Sequence, residues 1–261
     1  MQSPIVTLTT DWGDRDFFAG KVKGKLYSYI PGVRVVDITH NIEPFQFMKA
    51  IFVVKNACLD FPKGTIHIID INSSETAQMP FVVVEYKEQY YICIDNGVPG
   101  ALFGRDATQT VLIDVPRETD FFTFAAADLF CKVAAMLAQG TPLSDIGEPH
   151  ELDIKTPILT DLSGDVIKVP VIHVDSYGNA YLSMTYEEFE RLRRGRPFAL
   201  MAREFTLNKV CHSYSDVRSG DLLLTVSSTR NLQVAVRDGS AQMLVGLDYL
   251  RTVVLTFKNN V

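Results

Sequence analysis

The feature that most constrains this chain is a switching of hydrophobic period across residues 4–71. Pro4 to Thr10 (PIVTLTT) is a short β-branched run with strand character. Ala19 to Ile30 then sets Val22, Leu26, Tyr29 and Ile30 at helical spacing, and Pro31-Gly32 ends it. Val33 to Thr39 returns to a strand, Phe45 to Leu59 to a helix, and Thr65 to Ile71 to a third strand. Strand–helix–strand–helix–strand with short joins calls for parallel pairing through right-handed crossovers. Phe81 to Tyr86 and Gln89 to Ile94, parted by Lys87-Glu88, read as a hairpin. Thr110 to Val115 adds a strand, and Ala125 to Ala138 a helix closed by Gly140. The expectation for residues 1–152 is an α/β N-terminal domain with a mostly parallel sheet.

Beyond this the pattern changes. Pro149 to Asp165 is polar, holds two prolines and a glycine, and reads as the linker. Short strands follow at Val166 to Val174, Ala180 to Met184, Leu222 to Val226, Leu232 to Val236 and Val253 to Phe257. They predict a smaller C-terminal β-barrel-like domain over residues 166–261. The total of 261 residues suits two modest domains, and 47% hydrophobic content excludes a disordered chain.

Charge narrows the partners. A net charge of −6 offers no global attraction to nucleic acid or to acidic membrane surfaces. No apolar run approaches the roughly eighteen residues of a membrane span. The start, Met1-Gln2-Ser3-Pro4, lacks the basic segment of a secretory signal. Cys58, Cys93, Cys131 and Cys211 are widely spaced and read as reduced thiols, which with the missing signal predicts a cytoplasmic protein. One basic cluster, Arg191, Arg193, Arg194 and Arg196, follows Glu187, Glu188 and Glu190 on a predicted helix. Pairs Glu187–Arg191 and Glu190–Arg194 would make it a self-paired solvated face.

In an open α/β sheet, ligands bind beyond the carboxyl ends of the strands. Three such ends are acidic here: Asp11 to Asp16 after the first strand, Asp37 to His40 at the second, and Asp70 to Glu75 at the third. A carboxylate there can accept both hydroxyls of a ribose. Asp14 or Asp16 can equally cap the following helix, and His40 can be a general base or a histidine bonded locally. The acids lack a calcium-loop pattern and the five histidines lack paired ligand spacing, so no metal is expected. There is no phosphate-cradling glycine loop and no nucleophile elbow.

Taken together, the ordered motifs resemble a known family. They are TTDWGDRD, the helix ending in Ile30-Pro31-Gly32, VVDITH, Ile42-Glu43-Pro44-Phe45, Phe61-Pro62-Lys63-Gly64-Thr65 and Asp95-Asn96-Gly97. Val174-Asp175-Ser176-Tyr177-Gly178-Asn179, Tyr214-Ser215-Asp216 and Ser227-Ser228-Thr229-Arg230 continue the series. This is similar to the S-adenosylmethionine hydroxide adenosyltransferase family, which includes fluorinases and chlorinases. The resemblance implies trimers of two-domain subunits with the ligand between subunits, S-adenosylmethionine as substrate or ligand, and no separate cofactor. By position it implies that Asp11 grips the ribose hydroxyls, Asp16 helps hold the methionine end and Phe45 packs on the ribose. It further implies Tyr177 and Tyr214 flanking adenine, Asn179 at the adenine edge, and Asp175 and Ser228, helped by Arg230, at the methionine end.

The reaction implied is attack of water on C5′, releasing adenosine and methionine. The family's hydrolases use an Asp, an Arg seven residues later, and a His following Thr-Phe. Asp70 matches the Asp, but the other two positions are Ala77 and Ala125, and the glycine-rich turn after Asp70 is Ile71-Asn72-Ser73-Ser74. Ser73 is then a candidate ligand contact beside Asp70, and Ser73, Ser74 or Glu75 can orient the water. Loss of a proton-transfer partner costs a factor of about 10² to 10⁴. The leading expectation is therefore a divergent hydrolase with Asp70 as its catalytic residue. The alternative is a non-catalytic binder of adenosine or S-adenosylmethionine. Halogenation fits poorly, because an Asp70 carboxylate repels a halide.

Overall fold

The computed structural model describes residues 3–44, 46–117, 123–154 and 164–258. The chain divides into two compact units, Met1–Pro157 and Ile158–Val261. Among the described residues, no helix is long and apolar enough to cross a membrane.

In the first unit each change of period becomes a change of element. These are β1 (Ile5–Thr10), α1 (Phe18–Tyr29), β2 (Arg34–Thr39), α2 (Phe47–Ala57) and β3 (Ile66–Asp70). After them come β4 (Phe81–Tyr86), β5 (Gln89–Ile94), α3 (Val98–Phe103) and β6 (Gln109–Ile113). A π-helical turn, Ala126–Phe130, runs into α4 (Cys131–Ala138), and β7 (Gly147–Pro149) closes the unit. All of β3 is buried, because helices cover both faces of the sheet. Val22 and Leu26 of α1 pack with Phe130 and Val133 against Val6, Leu8 and Ile68. Ala50 and Val54 of α2 meet Ile69, Val82 and Tyr91 on the other face. Truncating Leu26 to alanine in such a core costs about 2–5 kcal/mol.

The strand order is β2-β1-β3-β5-β4-β6-β7. The sheet is mixed, which corrects the expectation of a mostly parallel one. The three pairings among β2, β1, β3 and β5 are parallel, and the three involving β4, β6 and β7 are antiparallel. The predicted hairpin is the cause. Lys87 and Glu88 take left-handed backbone (φ 51° and 60°), the geometry of a tight two-residue reversal, and β6 and β7 then add beside β4. β7 also occupies what reads as the start of the linker. A side chain at Gly147 would stand 1.6 Å from the Leu112 carbonyl oxygen, so glycine admits this close pairing. The chain stays docked beyond β7: Asp95 accepts hydrogen bonds from His150 Nε2 (2.9 Å) and from the Asp153 amide (3.1 Å).

The second unit contains β8 (Val166–Val174), β9 (Ala180–Thr185), α5 (Tyr186–Arg193), β10 (Phe198–Ala202), β11 (Phe205–Leu207) and β12 (Val210–Cys211). It continues with β13 (Leu222–Val226), β14 (Asn231–Val236), α6 (Ala241–Val245) and β15 (Thr252–Phe257). Its sheet order is β11-β10-β15-β8-β9-β14-β13-β12. The two terminal strands of that order, β11 and β12, are joined by Asn208 and Lys209 alone. A linker of two residues spans no more than about 10 Å, so the sheet curls back on itself into a near-barrel around Val169, Leu182, Leu224 and Leu255.

The predicted helix at the arginine cluster is α5, started by a capping box between Thr185 and Glu188. Its charges pair differently from the expectation. Arg194 ends the helix in left-handed backbone, Glu190 pairs with Arg193, and Glu187 pairs with Arg230 from outside the helix.

Candidate active site

Parallel register brings the acidic strand ends together. Thr10 of β1 sits opposite Asp70 of β3, and Ile69 opposite Cys93 of β5, so Asp11, Asp70 and Asp95 emerge together at the carboxyl ends of these neighbouring strands. Asp70 is 5% exposed. Its Oδ2 accepts a hydrogen bond from Trp12 Nε1 (2.7 Å). Its Oδ1 is buried without a hydrogen bond, as is the Ser73 hydroxyl beside it. Burial pushes the Asp70 carboxyl up to about 6; the nearby Ser73 hydroxyl and the Trp12 N–H oppose this, and the charge of Asp11 adds to it. Ser73 thus lowers the shift by proximity, without closing a bond of good geometry.

The turn after Asp70 is held from two sides. The Asn72 amide donates to Asp11 Oδ2 (2.9 Å), and Asn96 Nδ2 donates to the Ile71 carbonyl (3.1 Å). Asn72 is left-handed (φ 48°), a conformation asparagine tolerates better than most residues, which is how the turn forms without glycine. Asp11 therefore supports the turn with one oxygen. Trp12 stacks on His40 (5.7 Å between centroids, 13° between planes) and meets Phe124 edge-on (5.2 Å). His40 is locally bonded, through Nδ1 to the Thr10 hydroxyl (2.7 Å). Trp12, Asp95 and Asn96 are the residues that sequence reasoning missed. A lone tryptophan inside an acidic strand end was the available signal for the first.

Among the described residues Asp16 accepts a bond from its neighbour, the Phe17 amide (2.8 Å), and α1 carries no side-chain cap, so the capping alternative does not hold. Ala125 is buried directly after Phe124, while Ala77 is exposed in the loop before β4. Phe45 lies outside the described residues. Among the described residues, no group of three or more His, Cys, Asp or Glu could hold a metal ion.

In the second unit Asp175 follows β8 and accepts four hydrogen bonds. The Tyr177 and Asn179 amides reach Oδ1 (both 3.0 Å), and Asn179 Nδ2 (3.0 Å) and the Tyr181 hydroxyl (3.2 Å) reach Oδ2. Those bonds shape a turn whose tip, Tyr177, is 78% exposed. Tyr214, partly exposed, donates its hydroxyl to the buried Gln233 (2.9 Å), which pairs with Tyr181 across β14 and β9. Ser228 and Arg230 lie elsewhere. Their loop joins β13 to β14 near Thr185, whereas Asp175 adjoins Ala180 at the other end of β9. Five steps of a strand separate them, about 17 Å. Arg230 is ion-paired with Glu187 and lies over the Tyr186 ring (5.9 Å).

The model of the SAM hydroxide adenosyltransferase N-terminal domain matches residues 6–147, and that of the C-terminal domain matches residues 169–254. The chain belongs to the SAM hydroxide adenosyltransferase family. It is 30% identical to a protein from Salinispora tropica named (R)-S-adenosyl-L-methionine hydrolase, over 94% of this chain and 95% of that one. A protein of the same name from Methanocaldococcus jannaschii is 24% identical over 97% and 96%. A fluorinase from an Actinoplanes species is 21% identical over 72% and 74%. Among solved structures, an uncharacterized conserved protein from Thermotoga maritima superposes with a TM-score of 0.86 at 26% identity, covering 97% of this chain and 99% of that one.

Proposed function

We propose that this protein is an S-adenosyl-L-methionine hydrolase acting on the (R) epimer, the substrate named for its relatives. The observation that carries the reading is Asp70: a buried carboxyl with one oxygen held by Trp12 and the other unpartnered. Water attacks C5′, the C5′–sulfur bond breaks with its electron pair going to sulfur, and adenosine and L-methionine leave. The sulfonium needs no protonation to depart, so the enzyme aligns the water and receives one proton. A carboxyl raised to about 6 keeps an ionised form at pH 7 that takes that proton from a water on Oδ1.

Asp11 keeps one oxygen for the ribose hydroxyls, Phe45 packs on the ribose, and Asp16 lies towards the methionine end. Tyr177 and Tyr214 stack on adenine with Asn179 at its edge, as aromatic faces suit a purine. Ser228 and Arg230, at the far end of the β9–β14 ladder, suit the methionine end of an extended ligand. Asp175 acts through the turn that presents Tyr177 and Asn179, away from Ser228 and Arg230. Copies of the chain assemble as a trimer with sites between subunits. The four buried free cysteines favour the cytoplasm.

The alternative, a non-catalytic binder, draws on Ala77 and Ala125. Incubation with each epimer, followed by chromatography, decides. Adenosine and methionine in equal amounts, faster from the (R) epimer, are expected. Binding of adenosine by calorimetry with no turnover above background would establish the binder instead.

A further inference from the structure

Trp12 is the only tryptophan of the chain and stands outside the Asp, Arg and His pattern of the family's hydrolases. We propose that Trp12 is a positioning residue whose indole N–H orients and tunes the Asp70 carboxylate, in a site where positions 77 and 125 are alanine. Only the kinetic consequence rests on the hydrolase reading.

The chemistry of the donor is the core of the argument. An indole N–H donates one hydrogen bond and accepts none. At 2.7 Å it fixes Oδ2 without competing for a proton from water, which leaves the buried Oδ1 as the basic oxygen. The ring cannot swing away easily. His40 stacks on it, Phe124 closes its edge, and Thr10 holds His40. Asp70 also faces Asp11, whose charge disfavours ionisation, and Ser73, which favours it. Behind the ring, Asp37 lies 3.2 Å from His40 Nε2 and is paired with Lys23; at the next strand end Asp95 is paired with His150. With Ser73, this N–H is therefore a local counterweight to burial and to Asp11, and of the two it is the one that closes a hydrogen bond to the carboxylate.

Trp12→Phe keeps an aromatic ring against His40 and Phe124 and removes only the donor. Loss of a charge-assisted bond moves the Asp70 titration upward by about one pH unit. This is read in protein carrying 13C-carboxyl aspartate, where the Asp70 signal is the one missing from Asp70→Asn. The acid limb of the kcat/KM profile moves with it, while KM changes by less than about twofold. Tryptophan emission, which reports Trp12 alone, is expected to follow the raised Asp70 titration, near pH 6, in the unaltered protein. That transition is lost in Asp70→Asn. An unchanged carboxyl titration in Trp12→Phe overturns the proposal. So does an emission transition that persists in Asp70→Asn, because it then does not report the Asp70 carboxyl. If Trp12→Phe does not fold, the emission pair decides alone. Both titrations as expected with no turnover uphold the proposal and overturn the hydrolase reading.

Discussion

Asp70 and Asp175 both stand where a strand ends, yet they are opposites in hydrogen bonding. Asp175 has its acceptor capacity engaged by four donors, all from within its own turn and the adjacent strand. Asp70 has one donor and a buried oxygen without a partner. A saturated carboxylate is a scaffold, because each new contact has to displace an existing one. An undersatisfied one carries a cost in the fold that a substrate or a water can relieve. Reactivity in this protein is thus expected where hydrogen bonding is incomplete, and shape where it is complete.

The strongest attack on this contrast is at Asp70. Asp70→Asn is expected to cut turnover by about 10² to 10⁴ while making the protein more stable at neutral pH. The sign follows from the raised carboxyl: its ionisation is disfavoured in the fold, so stability is lost as pH rises from about 4 through about 6. The gain from the neutral isostere is at most about 3 kcal/mol at pH 7 and disappears towards pH 4. Melting at both pH values checks it, and a destabilised Asp70→Asn would erase the contrast.

Asp175→Ala comes next. Stranding four donors is expected to cost about 2 kcal/mol or more of stability. Turnover should fall through KM more than through kcat. A normal melting curve with abolished kcat would make Asp175 a reacting group instead. The smallest stability effect is expected at Tyr177→Ala, because the ring is 78% exposed: melting within about 0.5 kcal/mol of the parent. Adenosine affinity measured by calorimetry should still drop about tenfold, since stacking on a base contributes about 1–3 kcal/mol. Unchanged affinity would remove Tyr177 from the adenine side.

Much of the first unit was legible because its signals are local. Val22 and Leu26 at helical spacing, the β-branched runs, and the Lys87-Glu88 reversal each specify their own element. β7 was not legible: three residues ending in Pro149 carry no strand pattern, and only pairing with distant β6 makes them a strand. The same holds for β11 and β12, which have three and two residues and exist through barrel closure. At the site, the acids at strand ends are legible in the sequence, and parallel register brings Asp11 and Asp70 to one end of neighbouring strands. What sequence spacing does not encode is saturation. Nothing in the string separates Asp175 from Asp70, because partners such as Tyr181 and Trp12 are fixed by folding.

The joint at Asn208 and Lys209 has a consequence for how copies of the chain can meet. By tying the two edge strands of the second sheet together, it leaves no long run of backbone N–H and C=O groups for another chain to extend. In the first sheet one edge is β7, short and ending in proline, which cannot donate. Among the described strands, β2 (Arg34–Thr39) is left as the six-residue edge where another backbone could add. Association elsewhere has to rely on side chains and loops, including exposed ones such as Tyr177 and Met243. Such contacts can be tuned residue by residue without risking runaway sheet growth.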